Sequence, residues 1–280
     1  MSDAETDSGS ELRGRRLPKG LTLRALVPNA ITAAALCVGL TGIRFAITGD
    51  FEKSVQAVIL AGMLDGIDGR AARLLKAQTR FGAELDSLAD SISFGVAPAL
   101  IVYLWTLQAL PSLGWMASLA FAICCVLRLA RFNSQIDSPD KPHKQAGFLT
   151  GVPAPVGAGL LLLPMYLWIA SGREEFSAPV PVSVWTAFVA FLMISNVPTL
   201  SWSKLRPPQK IRLEVILIVG LLVAALLLEP WLTLVAISIG YLALIPLGLV
   251  AYARVRQRRL SAPGRQHDVP DQPPSPDDDR

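Results

Sequence analysis

The chain has 280 residues, of which 52% are hydrophobic and only 17% charged, where a soluble domain of this size carries about a quarter charged residues. The apolar residues fall in blocks of roughly twenty, the length that crosses about 30 Å of hydrocarbon, which argues against a single soluble core. A formal net charge of +4 would suit a nucleic-acid binder, but the basic residues flank the apolar blocks, so no nucleic-acid partner is expected.

In chain order, residues 1–20 are polar and read as a disordered cytoplasmic N-terminus. Eight candidate spans follow, at about 28–48, 53–75, 82–106, 113–133, 152–171, 179–199, 211–228 and 231–252. The first is too long for a signal-peptide core and lacks a cleavage site, so it reads as an uncleaved anchor. Residues 259–280, rich in Pro and Asp, read as a disordered cytoplasmic tail. The fold expected is therefore all-α: one polytopic transmembrane helix bundle over residues 21–258. Cys37, Cys124 and Cys125 lie in apolar blocks and read as small hydrophobes. His143 and His267 have no partners at metal-ligand spacing.

Charge fixes an expected orientation. With the N-terminus inside, 23 of the 26 lysines and arginines fall on the cytoplasmic side; only Arg44, Lys53 and Arg173 do not. This is the positive-inside bias, and it requires an even number of spans with both termini in the cytoplasm.

The second span ends MLDGIDGRAARLL and the third begins GAELDSLADSISFGVAPAL. At about 100° per residue, Asp65, Asp68, Gly69 and Ala72 share one arc of the first helix. Gly82, Asp86, Asp90, Ser93 and Ala97 form a stripe on the second. A short turn lets the two stripes face each other, gathering four carboxylates at the cytoplasmic membrane surface. Such a cluster is costly without a cation. An all-oxygen donor set suits Mg²⁺ or Mn²⁺, with substrate phosphates completing the shell. Gly62, Gly66, Gly69 and Gly82 would let a helix backbone or a nucleotide base approach closely. Arg73, one turn beyond, suits a pyrophosphate through its planar fork.

The arrangement Asp65-x2-Asp68-Gly69-x2-Ala72-Arg73-x8-Gly82-x3-Asp86-x3-Asp90 resembles the motif of the CDP-alcohol phosphotransferase family at every defined position. Three other stretches look like the bacterial phosphatidylserine synthase branch of that family. They are Pro28-Asn29, Arg128-Leu129-Ala130-Arg131-Phe132-Asn133, and Gly147 through Pro155 with its Gly151-Val152-Pro153 centre. The resemblance implies an enzyme of a bacterial inner membrane whose site opens to the cytoplasmic leaflet. Asp65, Asp68 and Asp86 would be the principal metal ligands. Asp90 would be the general base, also placed to touch a second metal. Gly69, Ala72, Arg73 and Gly82 would line the CDP site, and a homodimer is implied. The substrates implied are CDP-diacylglycerol, drawn from the membrane lipids, and L-serine.

For the carboxylate of serine, Arg128, Arg131 and Asn133 stand at the right depth at the end of the fourth span, with Lys144 in the flanking loop. Asn29 is a candidate for the nucleotide. Alternatives are another acceptor alcohol, namely choline, glycerol phosphate or inositol phosphate, or an ion-coupled transporter, which would need acids at mid-membrane depth.

Overall fold

A computed structural model describes residues 23–136, 148–195, 198–200 and 212–260. Both expected tails, apart from the last turn of the final helix, and Lys144 lie outside the described residues. Within them, helix occupies each of the eight expected spans.

Helix α1 (Leu23–Ile47) begins five residues before the expected span, and Pro28 sits inside it. Helix α2 (Phe51–Leu74) starts at an Asp50 cap, whose carboxylate accepts from the Lys53 amide at 3.2 Å. Helix α3 (Arg80–Asp90) starts at Thr79, whose hydroxyl accepts from the Gly82 amide at 3.0 Å. It runs through a π-helical turn, Ser91–Val96, into α4 (Ala97–Trp105). Helix α5 (Leu113–Ile136) follows, then α6 (Ala154–Leu161) and α7 (Leu163–Ser171), bent by 41° to one another. Helices α8 (Pro179–Ile194), α9 (Arg212–Leu228) and α10 (Pro230–Leu260) complete the bundle.

Three helical stretches are long and apolar enough to cross a membrane, or four if the bent α6–α7 pair is one span. The chain is a membrane-embedded helical protein. Leu217, Ile218, Leu221 and Leu222 on α9 are all exposed, a surface that only hydrocarbon accommodates at this density.

The α6–α7 bend has a specific cause. Pro164 has no amide hydrogen to give the Leu160 carbonyl four residues back. That carbonyl accepts instead from Trp185 Nε1 on α8 at 2.8 Å. In hydrocarbon an orphaned carbonyl costs several kcal/mol, so the indole replaces what the proline removes and fastens α8 to the bend.

Small residues set the closest helix contacts. A Cβ at Gly42 would meet the Ser54 carbonyl at 3.2 Å, where α1 lies on α2. A Cβ at Gly39 would stand 2.8 Å from Ser93 Oγ, so α1 rests directly on the π turn. On the other side of that turn, a Cβ at Gly95 would meet Cys125 of α5 at 3.3 Å. The core lies between α4, α5, α6, α7 and α8, around Ile101, Phe121, Leu161 and Tyr166.

One departure from the expected all-α fold is small. Strands β1 (Phe148–Thr150) and β2 (Pro198–Leu200) pair antiparallel, Phe148 opposite Leu200. Directly after β1, Gly151 has φ +80°, and a Cβ there would stand 2.8 Å from the Met193 carbonyl. The chain thus turns through a glycine conformation against the end of α8 before entering α6.

Candidate active site

The turn between α2 and α3 is only five residues, so the helices fold back antiparallel and their charged ends meet. One carboxylate oxygen each from Asp65, Asp68 and Asp86 lies within 4.8 Å of the other two. Asp68 is the deepest, 3% exposed. Its Oδ2 is buried with no hydrogen-bond partner among the described residues; Thr32 of α1, whose hydroxyl donates to the Pro28 carbonyl at 3.1 Å, is among the groups that act on the same carboxyl. Asp90 stands beside this triad rather than in it. Its carboxyl is within hydrogen-bonding reach of Asp65.

The donor set fits a divalent cation. Three hard oxygens converge, and a buried orphan carboxylate oxygen is costly unless a positive charge meets it. Asp65, Asp68 and Asp86 are the residues that could hold Mg²⁺ or Mn²⁺.

The glycines divide by surroundings. Gly62 faces the Phe94 ring at 3.5 Å, so it serves helix packing. Gly66 and Gly69 have nothing within 4 Å of where a Cβ would be, and both are exposed. They leave a smooth strip of α2 backbone beside the carboxylates. Arg73 is exposed, and its Nε donates to the Gly69 carbonyl at 3.0 Å, which anchors the guanidinium along that strip. Ala72 is half-buried beside it. Gly82 is different again: a Cβ there would stand 2.8 Å from Asn29 Oδ1, so α1 and α3 touch at the mouth of the site.

The residues expected to hold the acceptor separate. Arg128 of α5 has a buried Nε with no hydrogen-bond partner among the described residues, and Asp90 is among the groups whose charge acts on it. Asn133 Nδ2 donates to Ser87 Oγ at 2.8 Å, tying α5 to α3 between Asp86 and Asp90. Arg131 is exposed, and its Nη1 donates to the Ile194 carbonyl at 3.4 Å, at the end of α8. Thr32 and Ser87 were not anticipated from sequence. A hydroxyl one turn after Pro28-Asn29, and another directly after Asp86, were the available signals.

Two cavities lie elsewhere. One of about 540 Å³ opens where the α1–α2 turn meets the end of α7, lined by Asp50, Glu52, Trp168 and Glu174 among others. Another of about 260 Å³ runs between α2 and the α9–α10 joint. Neither includes the aspartates.

Residues 25–195 match the family model described as CDP-alcohol phosphatidyltransferase. The chain belongs to the CDP-alcohol phosphatidyltransferase family. Residues 210–246 match a second model, CDP-alcohol phosphatidyltransferase 2. This phosphatidyltransferase is 37% identical to the CDP-diacylglycerol–serine O-phosphatidyltransferase of Mycobacterium tuberculosis over 234 residues, 84% of this chain and 80% of the relative. Against the protein of the same name from Mycobacterium leprae, identity is 35% over 237 residues, 85% and 77% of the two chains. The Helicobacter pylori protein of that name is 33% identical over 199 residues, 70% and 81%. The family expected from the aspartate spacing is thereby borne out.

Proposed function

We propose that this CDP-alcohol phosphatidyltransferase transfers the phosphatidyl group of CDP-diacylglycerol to L-serine, giving phosphatidylserine and CMP. The reaction class follows from family membership and the carboxylate triad. The acceptor rests on one observation: relatives sharing 30–37% identity across most of this chain carry the serine transferase name.

The CDP-lipid enters from the cytoplasmic leaflet and lays its nucleotide along the Gly66–Gly69 strip, with Asn29, Ala72 and Gly82 around it and Arg73 against the pyrophosphate. When bound at Asp65, Asp68 and Asp86, a divalent ion supplies charge neutralisation for the pyrophosphate and the transferring phosphoryl group. The serine Oγ forms a bond to the phosphorus that carries diacylglycerol. The bond from that phosphorus to the CMP oxygen breaks, and CMP leaves with the electron pair. Asp90 takes the serine hydroxyl proton. Arg128 holds the serine carboxylate, a charge-assisted contact for its unpaired Nε. The Asn133 carbonyl oxygen, Arg131 and Lys144 complete the acceptor side.

The working topology is eight spans with both termini in the cytoplasm of an inner membrane, as a homodimer. The charge distribution supports the orientation. The deciding experiment incubates purified protein with CDP-diacylglycerol, Mg²⁺ or Mn²⁺ and a panel of alcohols, and measures CMP release. Release with serine alone is expected. Release with choline, glycerol phosphate or inositol phosphate but not serine would reassign the acceptor, and flux into proteoliposomes without CMP release would replace the reading with transport.

A further inference from the structure

From Arg70 to Phe81 the chain reads RAARLLKAQTRF, with four cations and no acid. This stretch closes α2, turns and opens α3. Two of its cations stand where local physics disfavours them. Lys76 lies in the left-handed region at φ +50°, the only non-glycine residue with positive φ among the described residues. Its amide donates to the Arg73 carbonyl at 3.2 Å, and the Ala77 amide donates to the Ala72 carbonyl at 2.9 Å. These are the two bonds that end a helix over a left-handed residue, a place that glycine fills best because it has no Cβ. Arg80 is the first residue of α3, at the positive end of the helix dipole, where an acid is favoured; that first turn contains none. Cations kept against local preference call for a partner outside the chain. Inside it they have none: Arg70, Lys76 and Arg80 are exposed and form no ion pair among the described residues.

The partner lies on the bilayer side. Arg70 is two residues after Asp68, about 160° away around α2, so it faces away from the carboxylates. It shares its face with Ile67 and Leu74, three before and four after, which are 51% and 83% exposed. Phe81, next to Arg80, is 63% exposed. Large bare apolar side chains among unpaired cations at a helix end match a membrane interface better than water. Depth agrees. Leu74 ends α2 six residues past Asp68, about 9 Å along the axis, and the headgroup layer of one leaflet is roughly 5–7 Å deep. The turn therefore carries its cations at the level of lipid phosphates, with Leu74 and Phe81 beside the acyl boundary. Arg73 is set apart, since its Nε is held along the glycine strip of the site.

We propose that the α2–α3 turn is a binding surface for anionic phospholipids of the leaflet onto which the aspartate site opens. Arg70, Lys76 and Arg80 meet the headgroup phosphates, and Leu74 and Phe81 enter the acyl boundary. The surface is separate from the reacting groups and fixes the end of α2 that carries them.

The test is native mass spectrometry of the delipidated full-length protein, offered dioleoyl phosphatidic acid and dioleoyl phosphatidylcholine in equal amounts. Wild type retains phosphatidic acid in preference. Arg70→Gln, Lys76→Gly and Arg80→Gln each weaken that preference about fivefold, the usual worth of one cation at an anionic surface. Arg73→Gln leaves it unchanged, and so does an excess of inorganic phosphate. Lys76→Gly places glycine in the left-handed position, so its melting midpoint holds or rises while lipid retention falls, which a merely structural lysine would not give. Equal retention of the two lipids by wild type overturns the proposal. So does a preference that survives all three substitutions together, an equal loss in Arg73→Gln, or displacement of the lipid by inorganic phosphate. None of these outcomes depends on which alcohol the enzyme uses, so the serine reaction stands or falls separately.

Discussion

A methyl group placed on Gly82 would stand 2.8 Å from Asn29 Oδ1 and 3.2 Å from the Thr79 hydroxyl that caps α3. Asn29 and Gly82 are 53 positions apart, yet this contact closes one wall of the site by bringing α1 onto the start of α3. Substituting Gly82→Ala forces the Asn29 amide to swing away. The KM for CDP-diacylglycerol should rise about tenfold, and Asn29→Ala added to it should cost little more. Steady-state kinetics on the two single variants and the double variant give the coupling; full additivity would mean that Asn29 does not face the nucleotide.

Asp90 stands beside the triad and Asp68 within it, so their loss should separate. Asp90→Asn is expected to lower kcat by at least about 10²-fold with CDP-lipid binding kept. Asp68→Asn should abolish saturable Mn²⁺ binding, read by calorimetry or by electron paramagnetic resonance of free Mn²⁺. An Asp90→Asn enzyme with normal turnover would remove it as the base.

Asn133 has two duties in this reading, and only one is shared with Ser87. Removing their 2.8 Å hydrogen bond from either side should cost about 1 kcal/mol and about 2–4 °C in melting midpoint. Ser87→Ala should stop there, whereas Asn133→Ala should also raise the serine KM. Equal serine KM values in the two variants would reduce Asn133 to a helix tie.

Gly151→Ala tests the turn that joins β1 to α6. With φ +80° and the Met193 and Ser195 carbonyls at 2.8 and 3.1 Å from the new methyl, a loss of about 1–3 kcal/mol is expected. The same end of α8 receives the Arg131 guanidinium, so the serine KM should rise alongside the fall in melting midpoint. A variant as stable as wild type would show that this turn rearranges freely.

The cap of α2 supplies a pH dependence far from the chemistry. The Lys53 ammonium, 2.6 Å from Asp50 Oδ2, holds the Asp50 carboxyl below its ordinary value of 3.8. A depressed folded-state value means the contribution is complete above that ordinary value and is lost as pH falls through the lower one. Asp50→Asn should lower the melting midpoint slightly at pH 7, match wild type below the acid window, and so flatten the dependence between. The pair is exposed, so the effect should be small.

Much of the architecture was legible because hydrocarbon imposes block lengths. Helix lies in each expected stretch, though three to four of them are long and apolar enough to cross a membrane and strand Pro198–Leu200 falls in the sixth; the aspartate spacing brought Asp65, Asp68 and Asp86 together. What was not legible depends on contacts between distant residues. The π turn at Ser91–Val96 is wedged between Gly39 and Cys125, and no local signal in SISFGV announces it. Pro164 hints at the α6–α7 bend, but the indole that makes it tolerable is 21 residues further on. The site divides in the same way. The motif told which carboxylates gather, whereas the tie of Ser87 to Asn133 comes from helices whose facing sides only packing decides. Asn133 and Arg131 looked alike as polar residues at one helix end, yet one turns to α3 and the other to α8.

The paired contacts Ser87–Asn133 and Gly95–Cys125 act as a ruler across the reacting level. Because both helices traverse the same eight residues between fixed points, neither can gain or lose a residue there alone. One insertion would rotate everything beyond it by about 100°, breaking one contact to keep the other. In the connection between α4 and α5, Leu107 is buried in the core, but Gln108, Ala109, Pro111 and Ser112 beyond it are exposed. Changes in chain length should therefore be absorbed around residues 108–112 and rejected between 125 and 133, a pattern that an insertion scan read by CMP release would expose.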